Sequence, residues 1–136
     1  MSNSTATRAS MRPRPLSPHL QVYRLIPTML MSILHRITGC ALYFGTLLVT
    51  WWVVAAATSP GWLDTANWAM GSWLGRLVLF GFTWALYFHL LGGLRHLLWD
   101  TAHAMEKDTS TRLAWATMAG SIILTVLTWA VYLFSL

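Results

Sequence analysis

Two short stretches hold most of the side chains able to do chemistry. Ser32-Ile33-Leu34-His35-Arg36-Ile37-Thr38-Gly39 offers a hydroxyl, an imidazole and a guanidinium. His89-Leu90-Leu91-Gly92-Gly93-Leu94-Arg95-His96-Leu97-Leu98-Trp99-Asp100 adds two imidazoles, a second guanidinium and a carboxylate. On a helix turning about 100° per residue, His89, His96, Asp100 and His103 fall within a narrow arc, with Gly93 about 40° to one side. Ser32 and Arg36 stand one turn apart and His35 lies between them, so the three can turn toward a common side. His89 is six residues before Arg95, which places it about 9 Å further into the apolar run that both belong to. An ionisable group at such depth is a functional-site hypothesis by default.

The elements that must position these groups are membrane helices. Of 136 residues, 56% are hydrophobic and 10% charged, against about 25% charged in soluble domains. The net charge of +5 comes from basic residues that flank apolar segments, without interleaved exposed aromatics. It therefore sets topology and excludes a nucleic-acid partner. Cys40 is the single cysteine, which rules out an internal disulfide or a cysteine-based metal site. Residues 1–27 read as a cytoplasmic tail followed by a short interfacial helix, with Ser17 as its cap, Pro18 in its first turn and Pro27 as its stop. Residues 28–136 read as the membrane domain, with helices over about 28–58, 68–99 and 112–136, each long enough for a hydrocarbon core of about 30 Å. Ser59-Pro60-Gly61 stops the first, Arg76 snorkels outward, and Gly71 and Gly75 form a GxxxG spacing read as helix packing. The expected fold class is an all-α integral membrane bundle of three transmembrane helices with a short N-terminal interfacial helix. Basic residues before helix one and around the second loop place the N-terminus and that loop in the cytoplasm.

If helices one and two pack antiparallel, His35 and Arg36 come level with the last turns before Arg95, with His89 deeper. A deep imidazole can give its Nε2 to a haem iron, while the haem's anionic propionates need cations nearer the interface. His35, Arg36, Arg95 and His96 can supply those cations, and Gly92 and Gly93 leave room for a porphyrin. The residues alone leave open the commoner alternative, a hydrogen-bonded structural histidine at position 89. His19, His35, His96 and His103 lie at or outside the boundary, so a haem with two histidine ligands needs its second from another chain. Ser32 and Arg36 also suit a quinone, whose carbonyl oxygens accept hydrogen bonds. The plainer alternative has Ser32 bonded to its own helix and Arg36 on a lipid phosphate.

Three motifs in order, Arg14-Pro15-Leu16-Ser17-Pro18-His19-Leu20-Gln21-Val22-Tyr23, then Ser32-x-x-His35-Arg36-x-Thr38-Gly39, then His89-x-x-x-Gly93-Leu94-Arg95-His96-x-x-x-Asp100, resemble the cytochrome b membrane-anchor subunit of succinate dehydrogenase, respiratory complex II. The resemblance implies that His89 is an axial ligand of haem b and that a smaller membrane-anchor partner supplies the other ligand. It implies that Ser32 and Arg36 line a ubiquinone pocket, that His35 and Arg36 lie near the propionates, and that His96 and Asp100 complete the signature. It further implies an iron-sulfur subunit and a flavoprotein subunit as partners, which carry the clusters and FAD, because this chain has no ligands for either. The short N-terminus favours a bacterial cytoplasmic (inner) membrane over a mitochondrial one. The rival reading is a noncatalytic membrane scaffold or assembly protein with a structural buried histidine. A small transporter fits less well, since the deep spans hold a single ionisable residue.

Overall fold

The computed structural model describes residues 25–135, which form four helices: α1 (Pro27–Thr58), α2 (Pro60–Gly71), α3 (Trp73–Asp100) and α4 (Lys107–Phe134). The proposed interfacial helix and the Arg14–Tyr23 motif lie outside the described residues. Helices α1, α3 and α4 are each long and apolar enough to cross a membrane, so the fold is an all-α bundle with three membrane-spanning helices. The shorter two have 28 residues and measure about 42 Å, more than the hydrocarbon core requires.

Two serines make the corners. Ser59 is extended, closes α1 by donating its N–H to the Ala55 carbonyl, and opens α2 by accepting from the Trp62 N–H, with Pro60 in the first turn. Ser72 does the same between α2 and α3, where its Oγ accepts from the Gly75 N–H at 3.0 Å. The expected second span reached back to about Trp68; instead Ser72 breaks the chain and residues 60–71 form a separate helix. The break also parts Gly71 from Gly75. Nothing lies within 4 Å of a Cβ added at Gly71, whereas one at Gly75 would run into the backbone of Ala69 and Met70. Gly75 is thus a close-approach residue at a corner, and the pair is not one helix-packing motif.

At the other end α3 stops at Thr101 in a Schellman turn. The Ala102 N–H donates to the Trp99 carbonyl at 2.8 Å and the His103 N–H to the Leu98 carbonyl at 3.4 Å, with Ala102 at φ 60°. Helix α4 starts at Lys107, ahead of the expected position near 112, because Glu106 to Ser110 already make its first turn and Asp108 suits the positive end of the helix.

Helix α3 is central and packs against both α1 and α4. Met31, Phe88 and Ala114, one from each spanning helix, form the buried core, with Leu34, Trp84 and Met118 packed against them. Along α4 the buried residues Ala114, Thr117, Ser121 and Thr125 are small, which lets the helices approach closely. The three hydroxyls bond to carbonyls of their own helix, so they carry no unmet polar group into the core. Tyr87 and Thr128 share a hydrogen bond of 2.8 Å between α3 and α4, and Trp129 donates to Thr83.

Candidate functional site

The antiparallel α1–α3 contact builds the site. Gly45 faces Phe82, Gly39 faces His89, and Gly92 faces His35, so the pairs step along the two helices in opposite directions. A Cβ added at Gly39 would lie 3.1 Å from His89 Cε1, and one at Gly92 would lie 2.6 Å from His35 Nδ1. Each imidazole therefore rests on a glycine of the opposite helix. The two rings stack with centroids 3.9 Å apart and planes 6° from parallel. Nothing as thick as a porphyrin fits between rings already in contact.

His89 is also fixed at one nitrogen. Its Nδ1 lies 3.1 Å from the His35 carbonyl and 3.4 Å from Thr38 Oγ1. A carbonyl can only accept, so Nδ1 carries the proton, and in the neutral ring Nε2 is left with its lone pair. Thr38 is buried and its hydroxyl is within reach of the Leu34 and His35 carbonyls, at 2.9 and 3.0 Å.

The remaining groups separate onto two faces. His96 is exposed, with its ring 5.3 Å from that of His35 and edge-on to Trp99. Ser32 is half-buried, and Arg36 and Asp100 are exposed. Helix α4 contacts α3 at Phe80, Thr83, Tyr87 and Leu91, and Leu91 lies about 160° around α3 from His89. On antiparallel helices, equal rotation by residue number leads to the same side. Ser32 and Arg36 therefore open on one flank with His89, Gly93 and His96, away from α4.

Arg95 belongs to the other face. It lies in line with Ala85, Phe88 and Gly92, all buried, about 120° from His89 around the helix. Only 5% of its surface is exposed. Its guanidinium carbon sits 4.9 Å from the Trp99 ring centre, a cation–π contact. Its Nε and Nη1, with His35 Nδ1, are the buried side-chain polar atoms without a hydrogen-bond partner among the described residues.

Three expectations change. His35 lies level with Gly92, in the last turn before Arg95, but its ring reaches that of His89 and stacks on it. The gap at Gly92, reserved for a porphyrin, is filled by the His35 ring, whereas Gly93 has nothing within 4 Å of an added Cβ. Thr38, assigned no role from the sequence, touches the key imidazole, a contact between two helices that no signal within α1 alone marks. Among the described residues no three His, Cys, Asp or Glu side chains gather as a metal site.

The family model for the succinate dehydrogenase/fumarate reductase transmembrane subunit matches residues 10–128. The chain is 52% identical to the succinate dehydrogenase cytochrome b556 subunit of Paracoccus denitrificans, over 88% of this chain and 92% of that protein. It is 34% identical to the subunit of the same name from Rickettsia felis, over 85% and 90%. It is 35% identical to the mitochondrial succinate dehydrogenase cytochrome B subunit of Schizosaccharomyces pombe, over 81% and 64%. A three-span bundle with a histidine-bearing α1–α3 flank, matched over most of its length by these subunits, places the chain in the cytochrome b556 family of succinate dehydrogenase membrane anchors.

Proposed function

We propose that this chain binds haem b and ubiquinone as a membrane anchor of succinate:quinone oxidoreductase, and docks the soluble subunits to a bacterial inner membrane. The observation that supports this most is the state of His89. A histidine that ligates a metal through one nitrogen characteristically donates its other N–H to a carbonyl or carboxylate. Here Nδ1 meets the His35 carbonyl, and Nε2 has no hydrogen bond among the described residues. The donor set suits haem in a second way: Arg95 is a buried cation without an anion among those residues, and such a charge is costly unless paired. In this reading His89 would hold the haem iron through Nε2, and His35, Arg36, Arg95 and His96 would carry the propionates. The stacked rings leave no place for an iron between His35 and His89, which fits a second ligand supplied by a smaller membrane-anchor partner. A haem so held would supply a one-electron store.

Ubiquinone becomes ubiquinol on taking two electrons and two protons. The electrons originate at succinate and reach the membrane through the flavoprotein and iron-sulfur subunits. In this reading those partners meet the anchor on the flank that carries Ser32 and Arg36. The Arg36 guanidinium donates to a quinone carbonyl oxygen and stabilises the negative charge that grows there, and the Ser32 hydroxyl donates to the same end of the ring. The basic residues at this end of the bundle support a cytoplasmic setting for it and for the N-terminus.

The test is the reduced-minus-oxidised visible spectrum of the detergent-purified complex, wild type beside His89→Ala, with subunits checked on a gel. A b-type band lost in the variant while the partners remain supports the ligand role. An unchanged band removes it.

A further inference from the structure

One turn of α1 surrounds the His89 imidazole on three sides. The His35 ring covers one face at 3.9 Å, Gly39 lies along the Cε1 edge where a Cβ would be at 3.1 Å, and the His35 carbonyl and Thr38 hydroxyl both face Nδ1. Of these, the Thr38 hydroxyl is the contact that need not be there. Valine would fill the same buried volume, and Thr50, Thr83, Thr117, Thr125 and Thr128 each donate to a carbonyl of their own helix, with the cross-helix contacts of Thr83 and Thr128 lying away from the histidines.

We infer that Thr38 is a positioning residue for the haem ligand: it holds the His89 ring in the orientation and tautomer that aim Nε2 off the α1–α3 contact. The inference rests on the reading of His89 as an axial ligand. When the Thr38 O–H donates to the Leu34 carbonyl, its oxygen lone pair is free to accept from Nδ1–H beside the His35 carbonyl. Two acceptors in different directions stop the ring from turning about its Cβ–Cγ bond. One acceptor, with the stacking and glycine contacts, would hold the ring less firmly. Two acceptors also place more negative charge on the imidazole, which favours the oxidised iron and lowers its midpoint potential. Groups that orient a metal ligand in this way are commonly worth about 10- to 100-fold in affinity.

The experiment compares Thr38→Val, Thr38→Ser and His89→Ala in the assembled, detergent-purified complex. It reads haem retained per complex after dilution, the haem midpoint potential by redox titration, and the low-spin electron paramagnetic resonance signal of the oxidised state. Thr38→Val is expected to lose haem at least about tenfold faster, to raise the potential and to broaden the resonance, while Thr38→Ser stays at wild-type values. Should the valine complex fail to assemble, Thr38→Ala is read in its place against the same serine reference. Wild-type retention and potential in the valine variant, with haem lost in His89→Ala, overturns the role of Thr38 alone, because the His35 carbonyl then suffices. A serine variant as impaired as the valine one overturns it too, since packing and not the hydroxyl is then at stake. Haem kept in His89→Ala overturns the ligand reading itself.

Discussion

Gly92 and Gly93 are neighbours in sequence and opposites in space, and alanine at each should separate them. A methyl at Gly92 would sit 2.6 Å from His35 Nδ1 and 3.1 Å from its Cε1, inside the 3.4 Å at which ordinary contact begins. A surface side chain would swing away. His35 has little room to do so, because the His89 ring is stacked on it at 3.9 Å and is itself lodged against Gly39. Overpacking of this kind costs about 1–3 kcal/mol. Replacing glycine by alanine within a helix returns about 1 kcal/mol at either position, so that gain cancels when the variants are compared. Gly92→Ala should therefore be less stable than Gly93→Ala by about 1–3 kcal/mol, and only Gly92→Ala should disturb both imidazoles. The assay is denaturant-induced unfolding of the detergent-solubilised complex, followed by tryptophan fluorescence. Equal stability of the two variants would show that the His35–His89 stack is not the tight element described, and the argument for a fixed His89 would fall with it.

Three further outcomes are expected. Arg36→Ala should lower succinate:quinone reductase activity about tenfold or more, the worth of a charge-assisted hydrogen bond, and leave succinate oxidation by a soluble artificial acceptor near wild type; equal losses in both assays would contradict a local quinone role. Arg95→Met keeps the stem and removes the charge. If an anion pairs with the guanidinium, the variant loses haem on dilution by a wide margin, whereas full haem retention with higher stability would mark Arg95 as an unpaired cost of burial. Ala102→Gly should stabilise the chain by about 1 kcal/mol, since a left-handed φ strains alanine and not glycine; an unfolding midpoint unchanged from wild type would argue against strain in that turn.

The spans were legible because long apolar runs bounded by arginines admit few other readings. The Ser72 corner was not, because the residues on both sides are apolar and Ser72 is neither proline nor charged; its capping bond to Gly75 depends on how α2 folds back. The register that sets His35 level with residue 92 follows from antiparallel packing of the two motifs, but the stacking of its ring on that of His89 depends on the direction each ring takes, which is a tertiary property. The face of Arg95 could have been read, since helical rotation alone sets it about 120° from His89. The role of Thr38 needed both helices in place, for nothing in one turn of α1 says which ring will lie over it.

The single-residue joints at Ser59 and Ser72 have a consequence for length. Neither holds slack, since each serine ends one helix and begins the next. An extra residue in α3 ahead of His89 would turn that side chain by about 100° and advance it by about 1.5 Å, out of phase with Gly39 and the His35 carbonyl. The stretch from Thr101 to Glu106, which no helix claims, can absorb such a change without altering that phase. Insertions and deletions are thus confined by geometry to one side of the bundle, and the serine corners act as the reference from which the angular setting of the histidines is measured.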